Sequence, residues 1–537
     1  MKRILRILFI LLFYIKGIVL NAQTPTLMLV KDVFDNDVSH SYPNGISSFG
    51  NKVIFMGDDG IHGREPWVSD GTAAGTFMLK DIFPGENSSL STTSQTDDYQ
   101  NNYFFPVGGK MLFSARDNMY GTEPWITDGT TEGTMLLKDI NQGDANGGSY
   151  PSHRSLYNGR MYFRALVGVG SDFEMWVTDG TEQGTQSFYD IEPAGFNYSA
   201  VHSDGKLYFN ADSAGNGREL WVTDGTVSGT HMVKDAYPGF YAHDPYYVTS
   251  VGDKIIYSGD SAGYDEQPWV SDGTEEGTHL IKEINNGGAA YCRNYFAYEG
   301  LAYFSGRQDD STGRELWVTD GTEAGTALLK ELQEGSDEGN PRDFIAYNSK
   351  LWFGAQGNNV DNLWVTDGTE EGTVIFHEDA NGPLLIHNNL LYFISEDHLM
   401  VTDGTEAGTY QVANPPGDAP PSLISMVAND DKVFVVARFS NAIGFELYSI
   451  EDIQALNKTE EKLFTLYPNP ASENIYLSDL IVSDKNENLM ITDITGRIII
   501  SELIPAGKSS ASIDIKGIEN GMYIVSIGNS WRKFIKN

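Results

Sequence analysis

Acidic side chains recur in a set of short loops along the chain. They lie in the segments DGIHGRE from Asp59, DNMYGTE from Asp117, DSAGNGRE from Asp212 and DDSTGRE from Asp309. Oxygen-rich loops of this kind can hold Ca²⁺, so Asp117, Asp212 and Asp309 are candidate calcium ligands. No loop matches a complete calcium-binding pattern, however, and Asp, Ser, Asn and Gly are also ordinary turn formers. The sequence requires no cofactor, and calcium is the one ion that it suggests.

A second set of candidate residues is aromatic. The connection PGFYAHDPYY, which begins at Pro238, contains Tyr241, Tyr246 and Tyr247. Tyrosine suits the stacking and hydrogen bonding that hydroxylated, weakly hydrophobic ligands need. The equivalent connections elsewhere in the chain differ in length and sequence. Varied loops on a repeated scaffold are where binding is expected, and they are equally where sequence drift is tolerated.

A catalytic centre gives no comparable signal. The sequence contains no HExxH, phosphate-binding loop or CxxC, and its ten histidines are scattered. Cys292 is the only cysteine, which excludes an internal disulfide framework and a thiolate zinc cluster. A lone cysteine is more often a small buried residue than a nucleophile. An enzyme acting on polysaccharide would need paired carboxylates from the loops.

The loops are positioned by an internal repeat. Eight segments resemble WVTDGTxxGT, and their spacing ranges from 58 residues (Asp70 to Asp128) to 36 residues (Asp367 to Asp403). Each period also contains an earlier hairpin, such as SLYNGRMYFRA, in which Asn158-Gly159 supplies the positive φ of a tight turn. Each unit is therefore predicted to be an antiparallel meander of four strands, which we name a, b, c and d.

Strand c carries apolar residues on both faces. In ELWVTD, Leu220 and Val222 point to one side and Trp221 to the other. Burial on both faces predicts sheets packed against sheets, as in the blades of a propeller. Seven of the nine tryptophans share this position and are read as wedges between blades rather than as ligand platforms: Trp67, Trp125, Trp176, Trp221, Trp269, Trp317 and Trp364.

The DGTxxGT segment that follows strand c is interpreted as a structural turn. Asp224 can accept backbone N–H groups across its own turn. Gly225 and Gly229 permit positive φ, and threonine suits the strand ends. The same reading applies to all eight copies.

The two ends of the repeat complement each other. A ninth hairpin, Ser425–Phe439, is followed by FELYSI, with Tyr448 in the tryptophan position but without a DGT turn or strand d. The segment Leu27–Val33 resembles a strand d with no unit before it. We therefore expect an all-β propeller, closed by the N-terminal strand. The short eighth unit leaves eight or nine blades open.

These repeats resemble the ELWxxDGT repeats of secreted bacterial proteins, which implies no defined biochemical role. The C-terminal segments LYPNPASENIYL, ITDITGRIII and GIENGMYIVSI resemble the type IX secretion sorting domain of Bacteroidetes. By itself, this region is expected to be a small β-sandwich. The resemblance implies interaction with the type IX secretion machinery and export through the outer membrane, and it assigns the sorting signal to Pro468, Asn469, Pro470, Asp493, Gly496, Arg497, Gly521, Tyr523, Lys533 and Lys536.

The N-terminus resembles a secretory signal peptide. Residues 1–22 have a basic start, an apolar run and a small Ala22 before Gln23. An uncleaved anchor is the alternative, but Lys16 leaves the apolar run short for a membrane span. The predicted organisation is a signal peptide at 1–22, the propeller at 23–450, a linker at 451–462 and the sorting domain at 463–537. No transmembrane span is expected in the mature chain.

Charge limits the partners. The chain has 74 acidic and 36 basic residues, a formal charge of −38. Four basic residues lie in residues 1–22, so the mature chain would carry 32 − 74 = −42. This charge opposes binding to nucleic acid and to anionic membranes, and it favours cation association.

The sequence therefore predicts an extracellular or cell-surface protein that acts as a noncatalytic binding or adhesion module. Its expected ligand is a glycan, another extracellular polymer or a protein. The alternative is a secreted propeller enzyme that acts on polysaccharide or peptide. A structural surface layer is a third reading.

Overall fold

The computed structural model describes seventeen segments of the chain. They are residues 25–34, 41–90, 104–142, 147–168, 173–193, 200–201, 205–213, 215–239, 241–261, 264–309, 311–451, 465–467, 471–478, 487–493, 498–518, 521–527 and 530–536. The predicted signal peptide and most of the predicted linker lie outside these ranges. Every regular element within them is a β-strand. Accordingly, the described residues contain no helix with the length and apolar character needed to cross a bilayer.

The chain divides into two compact units, Thr24–Asp452 and a smaller one that contains Ile453–Asn537. The large unit begins with strand β1 (Met28–Lys31), and its first three sheets then follow in chain order. Sheet 1 contains β2 (Asn44–Phe49), β3 (Lys52–Asp58), β4 (Arg64–Ser69) and β5 (Phe77–Met78). Sheet 2 contains β6 (Phe105–Val107), β7 (Lys110–Asp117), β8 (Gly121–Thr127) and β9 (Met135–Leu136). Sheet 3 contains β10 (Ser152–Tyr157), β11 (Arg160–Leu166), β12 (Phe173–Thr178) and β13 (Gln186–Tyr189).

The next three sheets repeat this pattern, and sheet 4 has one additional short strand. Sheet 4 contains β14 (Glu192–Pro193), β15 (Ala200–Val201), β16 (Leu207–Ser213), β17 (Gly217–Thr223) and β18 (His231–Lys234). Sheet 5 contains β19 (Tyr246–Val251), β20 (Lys254–Ser261), β21 (Tyr264–Ser271) and β22 (His279–Leu280). Sheet 6 contains β23 (Arg293–Tyr298), β24 (Leu301–Gly306), β25 (Glu315–Thr319) and β26 (Ala327–Lys330).

Three more sheets complete the large unit. Sheet 7 contains β27 (Arg342–Tyr347), β28 (Lys350–Gly357), β29 (Val360–Thr366) and β30 (Val374–His377). Sheet 8 contains β31 (Ala380–His387), β32 (Leu390–Ser395), β33 (His398–Thr402) and β34 (Tyr410–Gln411). Sheet 9 contains β35 (Ser422–Ala428), β36 (Lys432–Arg438) and β37 (Phe445–Glu451), together with β1. Each sheet is antiparallel, so the meander predicted for each unit is confirmed.

The N-terminal strand supplies the fourth strand of sheet 9. It pairs antiparallel with β37, so that Met28 lies opposite Ser449 and Leu29 opposite Tyr448. The N-terminal strand thus provides the strand d that the last unit lacks. The pairing is the one that the sequence predicts for this segment.

Strand c is buried on both of its faces, as predicted. Trp221 packs with Tyr162 and Met175 of sheet 3, whereas Leu220 and Val222 pack with residues of sheet 5. All seven repeated tryptophans are buried, with exposed fractions between 5% and 9%. The apolar area of each sheet is therefore removed from water by its two neighbours rather than within the sheet itself.

Successive sheets share hydrophobic clusters along the unit. Clusters join each of sheets 1 to 7 to the following sheet, and β31 and β33 lie against β35 of sheet 9. Sheet 9 also shares a cluster with sheet 1, in which Val30 and Phe434 pack with Phe55 and Trp67. The first and last sheets are thus in direct contact.

The aspartate and the first threonine of the DGT turn hold the turn together, as Asp224 illustrates. Its Oδ1 accepts the backbone N–H of Thr226 at 2.9 Å and the hydroxyl of the same residue at 2.7 Å. The Thr226 hydroxyl in turn accepts the N–H of Gly229 at 3.0 Å. A Cβ on Gly229 would come within 2.2 Å of the Asp224 carboxylate, so this position requires glycine.

The remaining turn residues fix the turn to the strand ends. The hydroxyls of Thr223 and Thr230 lie 2.7 Å apart, and Thr230 donates to the carbonyl of Thr226. Thr223 accepts the N–H of Gly225, whose φ is 89°. The hydrogen bonds within the turn therefore account for the Asp, Gly and Thr residues that recur in the DGTxxGT motif.

The described residues of the smaller unit form two sheets. The first comprises β38 (Thr465–Tyr467), β39 (Asn474–Ser478) and β42 (Ala511–Asp514), and the second comprises β40 (Glu487–Asp493), β41 (Ile498–Ile504), β43 (Gly521–Ile527) and β44 (Ser530–Lys536). Ile475 and Ile513 of the first sheet share one core with Leu489, Val525 and Phe534 of the second. This shared core is what the predicted β-sandwich requires.

Trp221→Ala tests the role of the repeated tryptophan. Removal of a buried indole between two sheets should lower the free energy of unfolding by about 3–5 kcal/mol through loss of burial and formation of a cavity. The urea unfolding midpoint measures the effect, and Val227→Ala, at a position that is 58% exposed, is the control. An unchanged midpoint in Trp221→Ala would contradict the wedge role.

Candidate binding surface

Strand c anchors the connection that follows strand d. Glu219 of β17 is fully buried, and its carboxylate accepts the backbone N–H groups of Ala236 at 3.0 Å and Tyr237 at 3.3 Å. Glu65 of β4 does the same for Ile82 and also accepts the hydroxyl of Ser89 at 2.5 Å. The loop backbone is therefore held by a buried acceptor in the strand beside it.

A side chain at the same position of strand c accepts loop N–H groups in other sheets, and a comparison of these side chains shows which chemical property the position requires. Glu123, Glu315 and Glu446 also accept backbone N–H groups of the connecting loops. In sheet 5 the position is occupied by Gln267, whose Oε1 accepts the N–H of Ile284 at 3.0 Å. A neutral amide fulfils this role, so the site requires a hydrogen-bond acceptor and not a charge.

The loops between strands b and c and those between strands d and a lie on the same side. His243, in the d–a loop, donates its N–H to the carbonyl of Arg218 at 2.9 Å. A Cβ on Gly217 would come within 2.2 Å of the carbonyl oxygen of Tyr241. Glycine at this b–c position is therefore needed for the two loops to touch.

The loop from Pro238 to Tyr247 presents an aromatic pair. Tyr241 is 64% exposed and stacks on half-buried Tyr237, with ring centroids 4.9 Å apart and planes inclined by 16°. Two flat rings at the surface offer an apolar face with hydroxyls at the edge. The sequence predicts Tyr241 as a contact but does not single out Tyr237, although the Pro238-Gly239 turn between them is a signal that the flanking residues approach each other.

The other two predicted tyrosines are placed differently. Tyr246 begins β19 and is half-buried, and burial raises the pKa of its hydroxyl. Tyr247 is also half-buried and adopts a φ of 55°. Tyr241 is thus the one of the three that is exposed, and the assignment of all three to ligand binding stays a prediction.

Two polar contacts anchor this loop. His243 is fully buried, with Nδ1 against the carbonyl of Asp260 and Nε2 3.2 Å from the Tyr257 hydroxyl. Burial lowers the pKa of His243 to about 4, so the imidazole is neutral. Arg218 pairs with Asp244, with Nη2 and Oδ2 2.7 Å apart. The loop that carries Tyr241 therefore has a fixed conformation in the absence of ligand.

The candidate calcium ligands have local roles. Asp117 Oδ1 accepts the N–H groups of Met119 and Tyr120, and Asp309 Oδ1 accepts the N–H and hydroxyl of Ser311. Asp212 lies in β16 opposite Arg218. Within the described segments, no three His, Cys, Asp or Glu side chains are grouped to hold a metal ion. Calcium binding stays a prediction. The hydrogen bonds within their own turns already account for the presence of Asp117 and Asp309.

Cys292 does not have the environment of a nucleophile. Its side chain is fully buried, and burial raises the pKa of the thiol well above its ordinary value. A reactive cysteine needs access and a stabilised thiolate. The residue packs with Ala290, Phe304 and Trp317 as part of the core.

The sorting-signal residues that fall in described segments lie on neighbouring strands. Asp493 of β40 is opposite Tyr523 of β43, which in turn is opposite Phe534 of β44. The rings of Tyr523 and Phe534 stack at 5.6 Å, and Gly521 pairs with Lys536. Lys533 also lies in β44. The remaining predicted residues lie outside the described segments: Pro468, Asn469, Pro470, Gly496 and Arg497.

Comparison with family models identifies the C-terminal region. Residues 465–537 match the model described as a secretion system C-terminal sorting domain. The predicted type IX sorting domain is thereby confirmed, and it indicates export to the cell surface or the extracellular space. A search of the curated proteins finds no match to the chain.

Several solved structures overlap with the chain at low similarity. A prolyl endopeptidase shares 10% identity, with 63% of this chain and 54% of that one covered and a TM-score of 0.37. A puromycin-hydrolyzing peptidase of Mycobacterium tuberculosis shares 12% identity over 74% and 63%, with a TM-score of 0.39. TolB from Acinetobacter baumannii shares 11% identity over 60% and 76%, with a TM-score of 0.28. The chain spans less than two thirds of the two peptidases.

The buried glutamates should make stability depend on pH. Burial raises the pKa of Glu65, Glu219 and Glu446 to about 7. The folded state therefore holds these protons more tightly than the unfolded chain, and the stability that they contribute is lost as the pH rises through about 7. Hydrogen bonds from the turn threonines lower the pKa of aspartates such as Asp224, whose contribution is lost as the pH falls below the ordinary value of 3.8.

We expect the melting temperature to rise when the pH is lowered from about 8 to about 5.5. The triple variant Glu65→Gln, Glu219→Gln and Glu446→Gln should fold and show a flatter dependence, because the amide does not titrate. Glu323→Gln, at an exposed turn position, is the control. Equal slopes in the triple variant and the wild type would refute the role of the three carboxyls.

Proposed function

We propose that the nine sheets of the large unit form a closed β-propeller. The support is the run of shared hydrophobic clusters from each sheet to the next, together with the cluster that joins sheet 9 to sheet 1. Pairing of β1 with β37 unites the two ends of this unit in one sheet. A closed ring leaves no sheet face without a partner.

Deletion of residues 23–33 tests this closure. The deletion removes β1, its pairing with β37 and the buried side chains of Val30 and Val33. The exposed edge and faces of sheet 9 should cause aggregation or a clear fall in melting temperature. An unchanged melting temperature, measured by circular dichroism, would contradict the closed-ring proposal.

We propose that the chain is an exported, noncatalytic binding or adhesion module whose ligand is a surface glycan or another extracellular polymer. One observation carries the proposal: the exposed stack of Tyr241 on Tyr237, mounted on an anchored loop. The apolar face of a sugar ring packs on such an aromatic surface, and its hydroxyls meet the polar edges. Removal of the signal peptide at 1–22 belongs to the same proposal.

The anchoring of the loop favours binding over catalysis. The buried carboxylates of strand c accept loop N–H groups, and Asp117 and Asp309 of the b–c loops accept N–H groups of their own turns. These carboxyl groups hold loops and turns, whereas glycoside hydrolysis needs a facing pair of acid and base. A protein that holds its ligand outside the cell would need rigidity and exposed aromatic area, and this loop combines the two.

Glycan-array binding of the purified protein tests the function. We expect saturable binding, and Tyr241→Ala and Tyr237→Ala should each weaken it by about tenfold, since stacking of one ring contributes about 1 kcal/mol or more. Phe77→Ala, an exposed aromatic residue of strand β5, should leave binding unchanged. Release of hydrolysis products from a polysaccharide or peptide panel would favour the enzyme instead.

A further inference from the structure

A lysine in strand d, or two residues after it, bridges neighbouring sheets at six junctions in the described residues. Its ammonium donates to a backbone carbonyl in the DGT turn of the next sheet, at the fourth or seventh residue of DGTxxGT. The pairs are Lys31 with Thr76, Lys80 with Thr134, Lys138 with Glu182, Lys234 with Thr278, Lys282 with Thr326 and Lys330 with Glu370. Lys31 and Lys80 also lie over the rings of Trp67 and Trp125.

The junction between sheets 7 and 8 departs from this rule at three positions. In GTVIFHED, His377 occupies the position of the bridging lysine. In HLMVTD of sheet 8, Met400 replaces the tryptophan, and His398 replaces the buried glutamate. Compared with most of the other units, the junction of sheets 7 and 8 therefore lacks a lysine, an indole and a carboxylate.

A cavity of about 590 Å³ lies at this junction. The three replaced residues, His377, His398 and Met400, line it together with Phe376, Glu406 and Thr409. Thr409 is half-buried, whereas its equivalents Thr76 and Thr134 are fully covered. The smaller side chains therefore leave open the volume that a lysine and a tryptophan fill elsewhere.

The retained acceptors suggest what the cavity can hold. Glu406 and Thr409 are the fourth and seventh residues of their DGTxxGT turn, and a carbonyl at one of these positions receives a lysine ammonium at six other junctions. His377 and His398 each direct Nδ1 to a backbone carbonyl, at 2.7 Å and 2.6 Å. Donation from Nδ1 leaves Nε2 of each ring as an acceptor.

The remaining lining completes a site for a cation with an apolar stem. Glu378, Glu396 and Glu406 are exposed at the cavity and carry negative charge, while Phe376 and Met400 supply apolar surface. An ammonium has three donors and needs acceptors around it. A transition metal is less suited, because no group of three metal-ligating side chains occurs in the described segments.

We propose that this cavity binds a primary alkylammonium group, and that its occupant is a lysine side chain of an extracellular protein partner. The aliphatic stem would lie against Met400 and Phe376, and the ammonium would reach the carbonyls of Glu406 and Thr409. Lysine is preferred to an amino sugar because this chain places its own lysine ammonium groups against the equivalent carbonyls six times. The site is separate from the Tyr237–Tyr241 surface and does not depend on its function.

Isothermal titration calorimetry of the full-length protein with Nα-acetyl-lysine methylamide tests the proposal. We expect saturable binding, weaker by at least about tenfold for the probe acetylated at Nε, which cannot offer an ammonium. His377→Lys restores the repeat's own lysine and should fill the cavity from within. Met400→Trp should fill it with an indole, and either variant should lower the affinity at least about tenfold.

His231→Lys is the matched control, because it adds the same charge at an exposed position of strand β18 and should leave the affinity unchanged. Circular dichroism establishes that each variant is folded, and Glu406→Gln, at an exposed position, supplies a weaker-binding variant that does not alter the packing. Equal binding of the acetylated probe, no binding of the lysine probe, or unchanged affinity in Met400→Trp and Glu406→Gln would overturn the proposal. Tighter binding of glucosamine than of the lysine probe would overturn the lysine assignment in favour of an amino sugar.

Discussion

Each sheet of the large unit has two apolar faces, and this constraint determines most of the rest. Trp221 points towards sheet 3 while Leu220 and Val222 point towards sheet 5, so that sheet 4 needs both neighbours to bury its own residues. The same holds for the first and last sheets, which bury Phe55 and Phe434 against each other. The position of β1 follows from this need, because sheet 9 would otherwise lack its fourth strand.

A second constraint is polar. Packing of sheets face to face leaves the connecting loops at the ends of the strands, where their backbone N–H groups need acceptors. The buried glutamate of strand c meets that need, and Gln267 meets it in sheet 5 without a charge. The DGT turns meet it at the opposite end of strand c through the aspartate and threonine side chains. Loop geometry is therefore set largely by positions that recur in the strands and turns of this chain, and the loop sequences differ from sheet to sheet.

The periodic part of the structure could be predicted from the sequence. Residues that bury the same face or form the same turn recur in each unit, so the pattern is seen many times. Burial of Trp221, the turn formed by Asp224 and the pairing of Leu27–Val33 with the last unit all followed from it. The buried role of Glu219 was not foreseen, although its recurrence was visible, since a glutamate in a strand gives no sign of its partner seventeen residues later. Tyr237 was missed for a related reason: its contact with Tyr241 is made by a loop that occurs once.

Departures from a repeat carry different information from the repeat itself. A single replacement in one unit can be compensated by the neighbouring side chains, as Tyr189 shows where it takes the lysine position of sheet 3 and packs against Trp221. At the junction of sheets 7 and 8, by contrast, Met400 and His377 are both smaller than the residues that they replace, and the volume is left as a cavity. The turn carbonyls of Glu406 and Thr409 belong to the repeat and persist whether or not a lysine reaches them. The proposed ammonium site thus arises because this unit lacks the internal lysine of most others but has the same turn carbonyls.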